Sequence, residues 1–225
     1  MDFAASLKQL LSNYALNFIQ GTLFTLQISI IAMIGGTIIG TVGAIVKLSR
    51  NSFFRGLISV YVTSFRNTPV LVQLFIVYFG LPSIGINFEA YVAALITLTI
   101  NAGAYCTEDM RAGIQSVNVT QFKSAYSLGM NKLQTYRYIV FPQAFRVIYS
   151  PLTSRFILTM LGSSIVAAIA VKELTYQTIL VESQSFRSFE AFSMAGLLYL
   201  VITQILKIIF RFGGSILLTE SKSKR

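Results

Sequence analysis

The chain has no histidine, a single cysteine and no Gly-x-x-x-x-Gly-Lys-Ser/Thr segment in its 225 residues. Each absence removes a class of function. Without histidine the commonest general base and zinc ligand is missing. Cys106 alone makes neither an internal disulfide nor a multi-cysteine metal site, so no metal is expected. Without a phosphate-cradling loop, any ATP must be bound by another subunit. The start of the chain carries no basic lead-in and small-residue cleavage site of a secretory signal. No internal repeat is evident, which weighs against a self-contained inverted-repeat transporter. Acidic residues are scarce as well, 8 against 18 Lys and Arg, for a net charge of +10. That surplus would suit a nucleic-acid binder, but the cations fall between apolar blocks instead of clustering on one polar domain. No nucleic-acid partner is expected.

What the chain has in abundance is apolar sequence, at 54% hydrophobic residues. This is too much for a soluble domain of its size and predicts an all-α integral membrane protein of about five transmembrane helices in a lipid bilayer. Residues 1–20 place Phe3, Leu7, Leu10, Leu11, Tyr14, Phe18 and Ile19 at helical spacing opposite Lys8, Gln9, Ser12, Asn13 and Asn17. That pattern predicts an N-terminal amphipathic helix at the membrane surface, the alternative being an extension of the first span. Residues 21–215 then form a single transmembrane domain, and 216–225 a basic tail. The spans are expected near 23–46, 57–81, 90–112, 147–171 and 191–210. In the first, Gly35, Gly36, Gly40 and Gly43 make a small-residue stripe for close packing within the chain or against a second chain. In the second, Pro69 should kink the helix and free a carbonyl that Thr68 or Gln73 can satisfy. The polar stretch 172–190 reads as a loop. Of the cations, only Lys8, Lys172 and Arg187 fall on the N-terminal side of this topology, which puts the N-terminus outside and the C-terminus inside.

The longest basic interruption lies in the middle, from Val119 to Pro142. Ser124, Ala125 and Leu128 share one helical pattern, and Leu133, Tyr136, Ile139 and Val140 share another. Gly129 between them can end the first helix in a left-handed conformation, and Pro142 is expected to stop the second. The result is a helix-turn-helix finger within a cytoplasmic loop at 113–143.

This stretch resembles the EAA loop of ABC-importer permeases, whose pattern runs Glu-Ala-Ala, three residues, Gly, nine residues, Ile, one residue, Leu-Pro. Gly129, Ile139 and Pro142 hold that spacing. Gly129-Met130, Gln134-Thr135 and Pro142-Gln143-Ala144 look like the polar amino acid branch of the family. So do the stretch from Phe65 to Phe75, which contains Arg66-Asn67-Thr68-Pro69, and Ala104-Tyr105-Cys106-Thr107-Glu108 with Arg111. The resemblance covers most of the chain from Leu23 to Arg211. It implies a type I permease fold and an ATP-driven importer of polar amino acids or their derivatives in a bacterial plasma membrane. It also implies two copies of an ABC ATPase that carry ATP and Mg, a second permease chain, and an extracellular solute-binding protein. A self-sufficient secondary transporter or channel is the alternative. The chain itself is then no enzyme and binds no cofactor. By the same resemblance Lys123, Ser124, Ala125, Gly129, Ile139 and Pro142 couple to the ATPase.

Two departures stand out. Lys123 and Ser124 occupy positions where the family has Glu and Ala, and Met160-Leu161-Gly162-Ser163-Ser164-Ile165 replaces a common Leu-Lys-Asp-Thr-Ser-Leu. A non-identical permease paralogue that keeps those features is therefore expected as the second chain, the alternative being a homodimer in which an acidic residue of the ATPase matches Lys123. The polar side chains available to line a path are Gln73, Tyr78, Asn101, Tyr105, Ser163 and Ser164. A charge at mid-bilayer costs roughly 2.5–3.5 kcal/mol on insertion scales. Arg66 and Glu108 are thus expected to neutralise one another, either as a structural pair or as part of the path.

Overall fold

The computed structural model describes residues 3–219. Residues 220–225 of the expected basic tail lie outside them, with Lys222, Lys224 and Arg225. Among the described residues the chain is helical, with no strand. Four helices are long and apolar enough to cross a membrane, and a sharply bent pair passes the same test together, for up to five crossings.

Helix α1 runs from Phe3 to Lys47. At about 1.5 Å per residue this is more than twice the length a bilayer core of about 30 Å requires. The helix is kinked at Tyr14 (φ −123°, ψ 19°), not at the expected boundary near residue 20. The turns on both sides of the kink are packed: Leu10 and Phe18 are buried with Met160, Leu174, Val181 and Ala191. Gly21 does not mark a helix end. A Cβ there would lie 2.8 Å from the Leu174 Cα, so its role is to let another segment approach.

Helices α2 (Ser52–Asn67) and α3 (Val70–Phe75) meet at an angle of 109°. The sequence predicts a kinked span, and the structure shows a broken one. Pro69 pushes Thr68 into an extended conformation (φ −111°, ψ 133°), which ends α2 outright. Beyond α3 a π turn (Ile76–Gly80) and a 3-10 turn (Leu81–Ile84) finish the segment.

Helix α4 (Ala90–Gln115) is the central post. The glycines of α1 lie along it: a Cβ at Gly35 would come 2.7 Å from Thr99 Cγ2, and one at Gly36 2.7 Å from Ala102 Cβ. Gly40 and Gly43 lie as closely on Cys106 and Thr107. The stripe serves packing within the chain, because at that separation backbones touch and only glycine fits.

Helices α5 (Val119–Ser127) and α6 (Lys132–Thr135) form the finger. Pro142 does not stop the second one. A π turn (Tyr136–Val140) carries α6 directly into α7 (Phe141–Gly162), with Pro142 in the first turn of α7. The Phe141 N–H donates to the Tyr136 carbonyl, so the hydrogen-bond register widens just before a residue that has no N–H to offer. After α7 come a 3-10 segment (Ser163–Ile169), α8 (Leu174–Ser185) and α9 (Ser188–Thr219). The expected loop at 172–190 is thus mostly a helix, with Leu174, Gln177, Thr178 and Val181 buried.

Candidate functional site: the finger and the helix break

The finger is a rigid hairpin. Asn118 caps α5, its side chain accepting from the Thr120 N–H at 2.8 Å. At the other end of α5 the Met130 N–H donates to Ala125 and the Gly129 N–H to Tyr126, a Schellman closure that needs the left-handed Gly129 (φ 79°). Asn131 and Gln134 then form a reciprocal capping box that starts α6. The base of the hairpin is buried: Val140, Ala144 and Ile148 pack on Ile114 and Val117 from the end of α4, with Phe122 and Tyr136 against them. A push on the tip therefore reaches α4 and α7 together.

The six predicted coupling residues divide by exposure. Ala125 is buried, whereas Lys123, Ser124, Gly129 and Pro142 are exposed and Ile139 is half-buried. The tip also presents Tyr126, Leu128 and Leu133, the latter two 82% and 77% exposed. An apolar tip ringed by cations is a surface for another protein.

The second centre is the α2–α3 break. In an unbroken helix the residue at 69 would donate to the Phe65 carbonyl, and Pro69 cannot. The Gln73 amide donates to Phe65 O and Thr68 O, both at 2.8 Å, and Asn101 Nδ2 donates to Gln73 Oε1 at 3.1 Å and to Phe65 O at 3.4 Å. Gln73 thus performs the repair expected of it, and it recruits Asn101 from α4. Beside the break lies a cavity of about 200 Å³ lined by Ser64, Phe65, Thr68, Gln73, Ile76 and Val77.

Of the other path candidates, Tyr105 joins this centre, its hydroxyl donating to Arg66 O at 3.4 Å. Tyr78 stacks edge-on with Phe79 and packs on the apolar core around Leu74 and Leu98. Ser163 is fully buried and donates to the Met160 carbonyl at 2.7 Å, and Ser164 is half-buried in the same 3-10 segment. The structure does not bring these three to the break.

The Arg66–Glu108 pair is not formed. Glu108 accepts from Arg111 at 2.7 and 2.9 Å and is bridged by Lys47 at the end of α1. The reason is helical phase. Glu108 turns toward α1, and Arg111 lies three residues on along the same edge. Tyr105 and Asp109, four apart, share the neighbouring face, and there the Arg66 guanidinium lies over the Tyr105 ring, 5.2 Å from its centroid. Arg155 from α7 lies 4.1 Å from the same centroid, with its Nε 3.5 Å from Asp109 Oδ2.

One buried group escaped the sequence reading. Glu173, fully buried at the start of α8, accepts from the Tyr176 N–H (2.9 Å), the Tyr199 hydroxyl (2.8 Å) and the Thr25 hydroxyl (3.3 Å). It pins α8 to α1 and α9. The period of Leu174, Gln177, Thr178 and Val181 just after an acidic cap was the available signal.

The sequence matches the family described as "Binding-protein-dependent transport system inner membrane component" over residues 36–212. It is 36% identical over 187 residues to the probable amino-acid ABC transporter permease protein YckA of Bacillus subtilis, covering 83% of each chain. It is 31% identical over 195 residues to the glutamine transport system permease protein GlnP of Escherichia coli, covering 86% of this chain and 89% of that one. Among solved structures, an amino acid ABC transporter crystallised with histidines superposes with a TM-score of 0.86 at 34% identity, over 95% of this chain and 98% of that one. The MetNI methionine ABC transporter in an inward-facing form shares the fold, with a TM-score of 0.72 at 15% identity over 89% of this chain and 95% of that one. Finger, broken span and matched length agree, and the chain belongs to the binding-protein-dependent transport family as a multi-pass membrane permease of an ABC importer.

Proposed function

We propose that the chain forms, with a second permease chain, the path of an importer for polar amino acids or their derivatives, driven by two copies of an ABC ATPase. The observation that carries this is the finger, whose apolar tip is free while its base is locked into α4 and α7. ATP and Mg bind the partner ATPase, whose closure pushes the tip. Because base and spans move as one body, the path switches from inward-facing to outward-facing. An extracellular solute-binding protein supplies the solute, and the N-terminus lies outside and the C-terminus inside the bacterial plasma membrane. Relatives named for glutamine transport, GlnP of Escherichia coli and GlnM of Bacillus subtilis, support a polar, uncharged amino acid.

Lys123 bears on the second chain. With a cation in place of the family's Glu, this finger suits a different contact from that of a standard one, and a non-identical paralogue would keep the standard contact. Purification of the assembly through a tag on this chain, mass spectrometry of its subunits, and ATP-dependent uptake of polar L-amino acids in proteoliposomes test the reading. An ATPase, a second permease and uptake on adding the binding protein are expected. Uptake without ATP by this chain alone would overturn the importer mechanism, and recovery of this chain as the only permease of an active assembly would overturn the heterodimer.

A further inference from the structure

The helix break gathers more charge than the fold uses. Arg66 at the end of α2, Tyr105 and Asp109 on one face of α4, and Arg155 on α7 converge on the Tyr105 ring. Arg66 is about 20 Å along α2 from its start, and Asp109 about 9 Å along α4 from its end, by the helical rise per residue. Arg66 has no carboxylate within ion-pair distance among the described residues, and its guanidinium is exposed over the ring. Arg155 and Asp109 are paired loosely, at 3.5 Å, and the buried Arg155 Nε and Asp109 Oδ2 make no hydrogen bond. Two cations and one anion therefore meet within the membrane with hydrogen-bonding capacity unspent. The nearest other ions on α4, Glu108 and Arg111, are closed with Lys47 into their own cluster.

We infer that Arg66, Arg155 and Asp109, set around Tyr105, bind the zwitterionic head of an amino acid on its way through the membrane. This deepens the proposed function and rests on its amino acid reading. The α-carboxylate takes the guanidinium forks of Arg66 and Arg155, which match its two oxygens. The α-ammonium takes Asp109 and the face of Tyr105. The head group carries equal and opposite charge, so it completes the loose Arg155–Asp109 pair without adding net charge to the membrane interior. A site of this kind reads the part common to all amino acids and leaves side-chain choice to other groups. It also rejects analogues lacking either charge, because a guanidinium or the Asp109 carboxylate is then left without its partner.

The test uses the complete purified assembly without its binding protein, so that affinity is measured in the membrane part. Thermal stability is titrated with each L-amino acid that the reconstituted assembly imports, with the amine formed by its decarboxylation, and with its N-acetyl derivative. Ligand that binds the folded state raises Tm in proportion to its affinity. The amino acid should raise Tm, and both analogues should bind at least about tenfold more weakly, the equivalent of one lost charged contact. Arg66→Gln should weaken the preference over the decarboxylated amine, with Arg155 keeping the remainder, and Arg66→Lys should keep more of it. Asp109→Asn should make the N-acetyl derivative bind as well as the amino acid, an outcome that loss of folding cannot mimic. Equal shifts with amino acid and analogues in the wild-type assembly, or no shift with an amino acid that it imports, would overturn the inference while leaving the importer reading intact. Failure to import any L-amino acid would overturn the substrate class and this inference with it.

Discussion

Replacing Glu173 by alanine removes an acceptor that joins α8 to α1 and α9, and the structure sets the size of the effect. The Tyr176 N–H sits at the start of α8 and loses its partner, the fully buried Glu173 carboxyl, a cost of about 1–3 kcal/mol. The other two donors are less exposed to loss. The Tyr199 hydroxyl keeps Thr175 at 3.0 Å, and Thr25 Oγ1 still accepts from the Leu174 N–H at 3.1 Å. Each then forfeits about 0.5–1.5 kcal/mol. Together the losses come to about 2–6 kcal/mol. Glu173→Gln keeps one oxygen for the Tyr176 N–H and places an amide where a hydroxyl can turn to accept, so it should cost about 1 kcal/mol. For a chain of this length 1 kcal/mol corresponds to about 2–4 °C, so alanine should lower the melting temperature of the detergent-purified assembly by about 4–24 °C and glutamine by about 2–4 °C. A Glu173→Ala assembly that melts with the wild type, or a glutamine variant less stable than the alanine one, would show that the carboxyl does not hold α8 on α1 and α9.

Three further outcomes follow from particular contacts. Gly129→Val places a β-branched residue at φ 79°, where a Cβ meets no neighbour, so the cost is purely backbone, about 1–2 kcal/mol. Membrane insertion should be kept while ATP-driven uptake falls, and normal coupled uptake would remove the finger from the coupling mechanism. Gly36→Leu inserts a side chain where even a Cβ lies 2.7 Å from Ala102; separating α1 from α4 should cost about 1–3 kcal/mol or more, seen as loss of folded protein on size-exclusion chromatography, and a monodisperse, wild-type-like profile would contradict that packing. In double-mutant cycles on thermal stability, Lys47→Ala with Glu108→Ala should deviate from additivity by more than about 0.5 kcal/mol, whereas Arg66→Ala with Glu108→Ala should add; the reverse pattern would restore the pairing that the structure breaks.

The sequence by itself determined what depends on composition and local backbone chemistry. Apolar runs longer than a bilayer is thick mark spans wherever they fold. Gly129 and the Asn131–Gln134 pair dictate a turn through steric and hydrogen-bonding rules that act over a few residues, and Pro69 must disrupt a helix whatever surrounds it. The importer family was legible for the same reason, since its finger motif is a local signature. What only the tertiary structure decided concerns partners far apart in the chain. The sequence offers Arg66 to Glu108 as readily as any other cation, and only the packing of α1 along α4 brings Lys47 to it and leaves Arg66 to Tyr105. Pro142 looks like a stop because a π turn that absorbs it has no sequence rule. Glu173 reads as a loop charge until Thr25 and Tyr199 close over it, because burial of an ion becomes tolerable only when distant donors arrive together. Charge, in a membrane, is placed by composition and paired by packing.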